Sequence, residues 1–206
     1  NAPATPAGTG YEVDKYSASD VREYLDGYYG PILAAVGKHS GAQGLQALLT
    51  DSWEAGSANW TPKLIEEFRA RRGYAPTPWL PVLADHIVGS AELSDRFLWD
   101  FRRTLADLVA DNHYKVIADY AREHKLGYYG EAMGVDLPMT GDGLQYKRYP
   151  SVPMGEFWQT WPDKPSLPNH IADVREAAAA AHVYVQNVVA TESFTGFPLP
   201  WDPPAY

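Results

Sequence analysis

Acidic residues follow several apolar runs of this 206-residue chain, in the places where buried strands would end. A pair of carboxyl groups facing one bond can hydrolyse a glycoside, since one protonates the leaving oxygen and the other activates water or attacks carbon. One acid at a strand end is more often a helix cap or a surface charge. Acids at several equivalent positions instead favour a shared site. They are Glu12, Asp14, Asp51, Glu54, Glu131, Glu156 and Glu192.

The stretch Asp51-Ser-Trp-Glu54 is the most specific of these, because two acids flank an aromatic residue directly after an apolar run. Gly130 precedes Glu131 and Gly155 precedes Glu156, and glycine lets backbone and ligand approach closely. Crowded acids raise the pKa of at least one member, which keeps a proton donor protonated near neutral pH.

Alternating strands and helices would bring these acids together. Five strands are predicted, over 11–14, 45–50, 128–132, 152–157 and within 183–191. Helices are predicted over 17–25, 61–73, 94–125 and 169–181. This alternation predicts an α/β fold with a parallel sheet. No predicted strand is followed by a glycine-rich phosphate loop, which argues against a nucleotide-binding fold. In a (β/α)₈ barrel the carboxyl ends of the strands converge on one mouth.

Five strands are fewer than the eight of a complete barrel. We therefore expect residues 11–206 to form an incomplete (β/α)₈ TIM-barrel-like catalytic domain, preceded by a flexible lead-in over 1–10. The remainder of the barrel is expected on a longer polypeptide.

Composition narrows the function classes. The net charge of -9 argues against nucleic-acid partners. The sequence contains no run of about 18 apolar residues, so no membrane-spanning helix is predicted. The chain has no cysteine, which excludes thiolate catalysis, disulfides and cysteine-bound zinc, and which fits an extracellular or periplasmic protein. His113 and His124 are interpreted as packing or surface groups, because no paired metal-ligand spacing is present.

Seven Trp and 14 Tyr are more than a core of this size needs. Aromatic planes can stack on the apolar faces of sugars, so Trp53 and Trp158 are predicted to contact a carbohydrate substrate, with Asp51 and His170 as polar partners. Packing inside loops is the competing interpretation. Two other functions stay open: a carboxylate- or metal-dependent hydrolase of another class, and a non-catalytic carbohydrate-binding segment that uses Trp53, Trp60, Trp158 and Trp161.

Four stretches carry a family resemblance: 48–56 (LLTDSWEAG), 59–62 (NWTP), 97–107 with 112–114 (FLWDFRRTLAD and NHY), and 152–158 (VPMGEFW). From about Gly10 to its end the chain resembles glycoside hydrolase family 106, the α-L-rhamnosidases. The resemblance implies a barrel domain within a large multidomain enzyme. It also implies inverting hydrolysis of terminal α-L-rhamnosides, in plant or bacterial polysaccharides or glycosides, and a calcium ion near the sugar.

The resemblance places the general acid on Glu54. Glu156 is expected as the general base in preference to Glu131, because an inverting pair stands roughly 6.5–9.5 Å apart and a retaining pair about 5–5.5 Å. Neighbouring strands are about 4.8 Å apart, so skipping one strand suits inversion. Some of the carboxylates are expected to bind calcium, with Glu192 as one ligand.

Overall fold

Four parallel strands form one sheet in the chain order β1-β2-β3-β4. The computed structural model describes residues 6, 9–39, 44–53, 56, 58–132, 141–158 and 168–195, without the side chains of 168–170. The register pairs Leu48 with Tyr128, and Glu156 with Glu192. The strands are β1 (Ala47–Thr50), β2 (Gly127–Gly130), β3 (Val152–Trp158) and β4 (Ala190–Thr195).

Helices connect and cover these strands, as the alternating pattern predicts. Short 3₁₀ turns occupy Gly37–His39 and Thr77–Ala84, and a π-helical turn occupies Ala110–Tyr114. Within the described residues no helix is long and apolar enough to cross a membrane. The α-helices are α1 (Ala18–Val36), α2 (Leu64–Arg72), α3 (Ala91–Val109), α4 (Lys115–Glu123), α5 (Gly143–Tyr146) and α6 (Pro168–Val183).

Helix ends follow the capping chemistry of the sequence in part. The Ser17 hydroxyl accepts a hydrogen bond from the Asp20 amide and starts α1, which continues through Pro31 well beyond its predicted end. Gly73 ends α2 in the left-handed conformation, as predicted. Gly127 does not end the long helix. Lys125 takes the left-handed conformation there, and Gly127 is the first residue of β2.

Two strand predictions were wrong. Residues 11–14 form no strand, since this segment is fastened by side chains: the Asp14 carboxylate accepts hydrogen bonds from the Tyr16 amide and the Thr61 hydroxyl. The last strand begins only at Ala190: α6 continues to Val183, and residues 184–189 form turns and irregular structure. Glu192 therefore lies within β4 and not after it.

Two buried clusters hold the layers together. The helical cluster joins α2 and α3 through Leu64, Phe68, Phe97, Phe101 and Leu108. The sheet cluster seats α1 and α4 on the outer face of β1 and β2, and contains Val21, Leu25, Leu48, Ile117 and Tyr128. The long helix α3–α4 contributes to both clusters and changes from one to the other near its π-helical turn. Helices α1 and α4 thus support the sheet at β1 and β2.

Candidate active site

Carboxyl groups from three strands, including both edge strands β1 and β4, meet at one point. Asp51 follows β1, Glu131 follows β2, and Glu192 lies in β4. One oxygen from each of these three residues lies within 4.8 Å of the other two. The predicted convergence of Asp51, Glu131 and Glu192 is therefore confirmed. Glu54 lies outside the described residues, so its position relative to this carboxyl cluster is not described.

This convergence shows that the sheet is curled. β1 and β4 are separated by three strand intervals, which would span roughly 14 Å in a flat sheet. Side chains of Asp51 and Glu192 nevertheless meet, because strand curvature directs them to a common centre. The strand-counting argument that preferred Glu156 to Glu131 as base assumed a flat sheet, and the assignment stays a prediction because Glu54 lies outside the described residues. Curvature, and not the number of intervening strands, sets these carboxyl separations.

Glu131 is the buried member of the carboxyl cluster, with 1% of its surface exposed. Burial raises its pKa to about 8, and the nearby carboxyls of Asp51, Glu192 and Glu156 add to the rise. Among the described residues neither Glu131 oxygen has a hydrogen-bond partner, although Asp51 is close by. A protonated Glu131 therefore limits repulsion among the acids at neutral pH.

The backbone fixes the ends of β1 and β2 to each other. The Glu131 amide donates to the Thr50 carbonyl at 3.2 Å, and the Trp53 amide donates to the Ala132 carbonyl at 2.9 Å. Ala132 adopts φ 62°, a left-handed conformation that residues other than glycine rarely take. These bonds continue the pairing past the last ladder residues and place Asp51 beside Glu131.

Glu156 and Glu192 form the more accessible half of the site. They are register partners on β3 and β4, and Glu192 accepts a hydrogen bond from the Thr195 hydroxyl at 3.2 Å. The pKa of Glu156 is raised, chiefly by burial and then by the charges of Glu192 and Asp173, against an opposing effect of Thr195 and Trp158. Half-buried Glu156 and exposed Glu192 thus present carboxyl groups to solvent.

The aromatic candidates differ in how much ring they offer. Trp53 is 6% exposed, with His113 against its ring at 5.6 Å and the Lys15 ammonium 5.3 Å from its centroid. Its ring is therefore mainly a packing element, which agrees with the competing interpretation from sequence. Trp158 is half-buried and Trp60 is 48% exposed. Substrate contact by Trp53 and Trp158 stays a prediction.

His170 lies in the first turn of α6, and its side chain is not described. Trp161 lies outside the described residues. Their predicted roles toward a sugar are therefore untested by the geometry.

A cleft of about 950 Å³ runs between the segment before α1 and the end of β1. Lys15, Asp51, Trp53 and His113 are among the residues that line it. Its size is in the range of small-molecule sites, and it adjoins the carboxyl cluster through Asp51. The arrangement therefore combines a space for a ligand with an adjoining carboxyl cluster, of which Asp51 lines the cleft.

Comparison with known proteins identifies the family of this chain. The profile of glycoside hydrolase family 106, described as alpha-L-rhamnosidase, matches residues 1–205. The chain belongs to this family. A solved rhamnosidase from Novosphingobium sp. PP1Y is 48% identical, with a TM-score of 0.88 over 94% of this chain. A Formosa agariphila protein named "Putative beta-glucuronidase" is 36% identical over 95% of the chain.

The chain spans only a small part of these relatives, 18% of the solved rhamnosidase and 16% of the Formosa protein. The described sheet is accordingly a curled α/β portion of a family 106 protein. The eight strands of a complete barrel are not described here.

The family 106 resemblance implies calcium, and the residues present fit such an ion. Carboxylate oxygens are ligands that calcium prefers. Asp51, Glu131 and Glu192 bring theirs together, and both oxygens of Glu131 are buried without a hydrogen-bond partner among the described residues. These three residues would hold the ion.

Sequence reasoning missed Lys15, which lines this site, and did not place His113 in it. His113 was taken as a packing or surface group; it is a packing group, and burial followed by the charge of Lys15 lowers its pKa to about 3. Lys15 directly follows the segment 11–14 that was predicted as a strand, and its ammonium lies 5.3 Å from the centroid of the Trp53 ring. The Asn112-His-Tyr motif was the only available signal for His113, since helical periodicity does not predict a π-helical turn.

Proposed function

We propose that the full-length protein hydrolyses terminal α-L-rhamnosidic bonds with inversion of configuration. The observation that carries this proposal is the carboxyl cluster, in which accessible acids surround a buried glutamate at one edge of a parallel sheet. Membership of family 106 supports the glycosidase class, and the solved rhamnosidase supports the sugar. The substrate would be a rhamnose-bearing polysaccharide or glycoside outside the cytoplasm.

Glu54 is the proposed general acid, as the family resemblance implies. It would transfer its proton to the glycosidic oxygen while the bond from that oxygen to the anomeric carbon breaks. A water molecule would attack the same carbon from the opposite face and give its proton to a carboxylate base. The product sugar then has the opposite anomeric configuration.

Glu192 is the proposed base, in place of Glu156. Both carboxyls sit on the same rung of the β3–β4 ladder. Glu192 is exposed and belongs to the cluster that contains Asp51, three residues before Glu54, whereas Glu156 is half-buried. An exposed carboxylate near the β1 end is better placed to take a proton from water across a bound sugar.

Protonated Glu131 is proposed as the group that lets Asp51 and Glu192 stand close together. Its role is electrostatic, because 1% exposure leaves it no direct access to a substrate. A neutral carboxyl can also donate its proton in a hydrogen bond to a neighbouring carboxylate.

Calcium binding is a second proposal for the same three residues. When bound, the ion would neutralise the acids and hold sugar hydroxyls. A carboxylate committed to calcium cannot serve as the base, so Glu156 would then take that role. Calcium binding and a protonated Glu131 are therefore alternative ways to balance the charge of these acids. One set of variants distinguishes them.

The experiment uses the full-length protein and aryl glycosides of α-L-rhamnose and β-glucuronic acid, before and after exhaustive chelation. We expect turnover of the rhamnoside to give a product of inverted configuration, which is measured by NMR of the released sugar. Activity that survives chelation together with an inactive Glu192→Gln variant supports Glu192 as base. Activity lost on chelation and restored by calcium, with an inactive Glu156→Gln variant, supports calcium and Glu156. Retained configuration, or turnover of the glucuronide alone, would refute the proposed function.

A further inference from the structure

A buried ion pair lies behind the accessible half of the site. Lys147, directly after α5, is fully buried, and its ammonium lies 3.5 Å from Asp173 Oδ1 and 3.0 Å from Glu176 Oε1. Asp173 is also buried, with 3% exposure. Burying charges costs free energy unless they are paired, so this group is maintained by specific contacts and not by solvent.

Asp173 also reaches the strand that carries Glu156. Its second carboxylate oxygen, Oδ2, accepts a hydrogen bond from the Glu156 backbone amide at 2.9 Å. The β2 ladder pairs with β3 only as far as Pro153, so β2 does not support β3 at Glu156. A helix side chain thus fastens β3 at the residue that forms a rung with Glu192.

The backbones of α6 and β3 are in close contact at Gly155. An added Cβ on Gly155 would come within 2.9 Å of the Asp173 carbonyl oxygen. Beyond α6, the Gln186 side-chain amide donates to the carbonyls of Lys147 and Pro150 at 3.1 and 2.7 Å. The chain before β3 and the helix after it are therefore tied together around the same ion pair.

We propose that Asp173, held by buried Lys147, is a positioning residue that fixes the Glu156–Glu192 rung for catalysis. It touches the backbone of β3 and not the substrate, and it acts through whichever of the two carboxylates is the base. The inference rests on the proposed glycosidase function. Lys147 supplies the positive charge that makes an ionised acceptor tolerable at this buried position.

The test compares three variants of the full-length protein. Asp173→Ala removes the acceptor, Asp173→Asn keeps a side-chain oxygen that can accept the same bond, and Glu176→Gln alters the other partner of Lys147 without touching β3. The kcat and KM on an aryl α-L-rhamnoside are measured, together with hydrogen–deuterium exchange of a peptide covering 152–158. Exchange reports the anchoring of β3 independently of turnover.

We expect Asp173→Ala to lower kcat about 100-fold with little change in KM, because small displacements of reacting groups have effects of that size. Exchange over 152–158 should accelerate. Asp173→Asn should recover activity to within about tenfold of the wild type, and Glu176→Gln to within about twofold. Asp173→Asn also provides the comparison if the alanine variant does not fold.

A loss of kcat in the Asp173→Ala variant no larger than in the Glu176→Gln variant would overturn the inference, since a purely structural ion pair would give that result. Unchanged exchange over 152–158 in the Asp173→Ala variant would overturn it as well. A wild-type protein without activity on the sugars tested would refute the proposed function. Exchange would still show whether Asp173 fastens β3.

Discussion

The site has two halves, one at the carboxyl ends of β1 and β2 and one on β3 and β4, and they hold their acids in different ways. At the β1–β2 half, backbone hydrogen bonds from Glu131 to Thr50 and from Trp53 to Ala132 lock the strand ends together, and Glu131 is buried. At the β3–β4 half, Glu156 and Glu192 are more accessible, and a side chain on α6 anchors the strand. Burial favours a neutral carboxyl in the first half, and solvent access favours proton exchange in the second. Under the proposed mechanism, the site thus separates a charge-balancing acid, Glu131, from the reactive ones.

The largest expected effect comes from Glu192→Gln in the full-length protein. Losing a general base lowers kcat by about 10²–10⁴-fold, so a decrease near 10³-fold is expected while sugar affinity is kept. Calorimetry with rhamnose and kinetics on an aryl rhamnoside measure the two. Glu156→Gln is the matched control, with a decrease of about tenfold or less. Full activity of the Glu192→Gln variant would assign the base elsewhere, and equal loss of binding would favour the non-catalytic interpretation.

Glu131 gives the next prediction, through pH. Its pKa is raised from 4.5 to about 8, so the folded state holds a proton that the unfolded chain has released. The stability from this difference is full below pH 4.5 and is lost as pH rises to about 8, with a magnitude on the order of 5 kcal/mol. Thermal unfolding of the full-length protein should therefore show a melting temperature that decreases over this window.

The Glu131→Gln variant sharpens that test, because glutamine keeps the shape of the protonated group and cannot titrate. Its melting temperature should decrease less than that of the wild type between pH 5 and pH 8.5. The same slope in both proteins would mean that Glu131 does not hold the proton.

A smaller effect is expected from Gly155→Ala in β3. The new methyl group would meet the Asp173 carbonyl oxygen at 2.9 Å, so α6 must shift, at a cost of about 1–3 kcal/mol. Gly127→Ala in β2 is the control, since its Cβ would make ordinary contacts from 3.5 Å outwards. Chemical denaturation measures both. Equal stabilities would show that α6 does not pack closely on β3.

The smallest effects should come from exposed tryptophans. Trp60, 48% exposed, borders a small cavity shared with Lys15 and Trp53, so Trp60→Ala should raise KM by roughly 2–5-fold if it meets the sugar. Trp99 is 65% exposed on α3 and should have no effect when replaced by alanine. Equal KM values for the two variants would leave packing as the sole role of Trp60.

Sequence patterns predicted the strand-end acids because each follows an apolar run, and this signal is local. The same patterns predicted a shared site for these acids but not that oxygens of Asp51 and Glu192 lie within 4.8 Å, since curvature arises from the whole sheet. They also missed Lys147 and Asp173, which lie on separate elements and pair only after α6 packs on β3. Glycines at 130 and 155 were interpreted as making room for a ligand. Their close neighbours are Pro150 and the α6 backbone.

The long helix was predicted as one regular element from its apolar spacing, and the structure adds the π-helical turn Ala110–Tyr114. In that turn the Lys115 amide donates to the Ala110 carbonyl, one residue further back than in an α-helix. Periodicity alone cannot reveal such a turn, because the flanking segments α3 and α4 are each regular.

That turn sets the angular phase between the two ends of the helix. An α-helix advances about 100° per residue, so deleting one residue here would rotate α4 by about that angle relative to α3. Ile117 and Tyr120 would then leave the sheet cluster, although each half of the helix could keep its own hydrogen bonds. Asn112, whose side-chain amide donates to the Tyr16 carbonyl at 2.7 Å, would lose its partner. The extra residue of this turn works as an angular spacer that lets one helix serve two differently oriented cores.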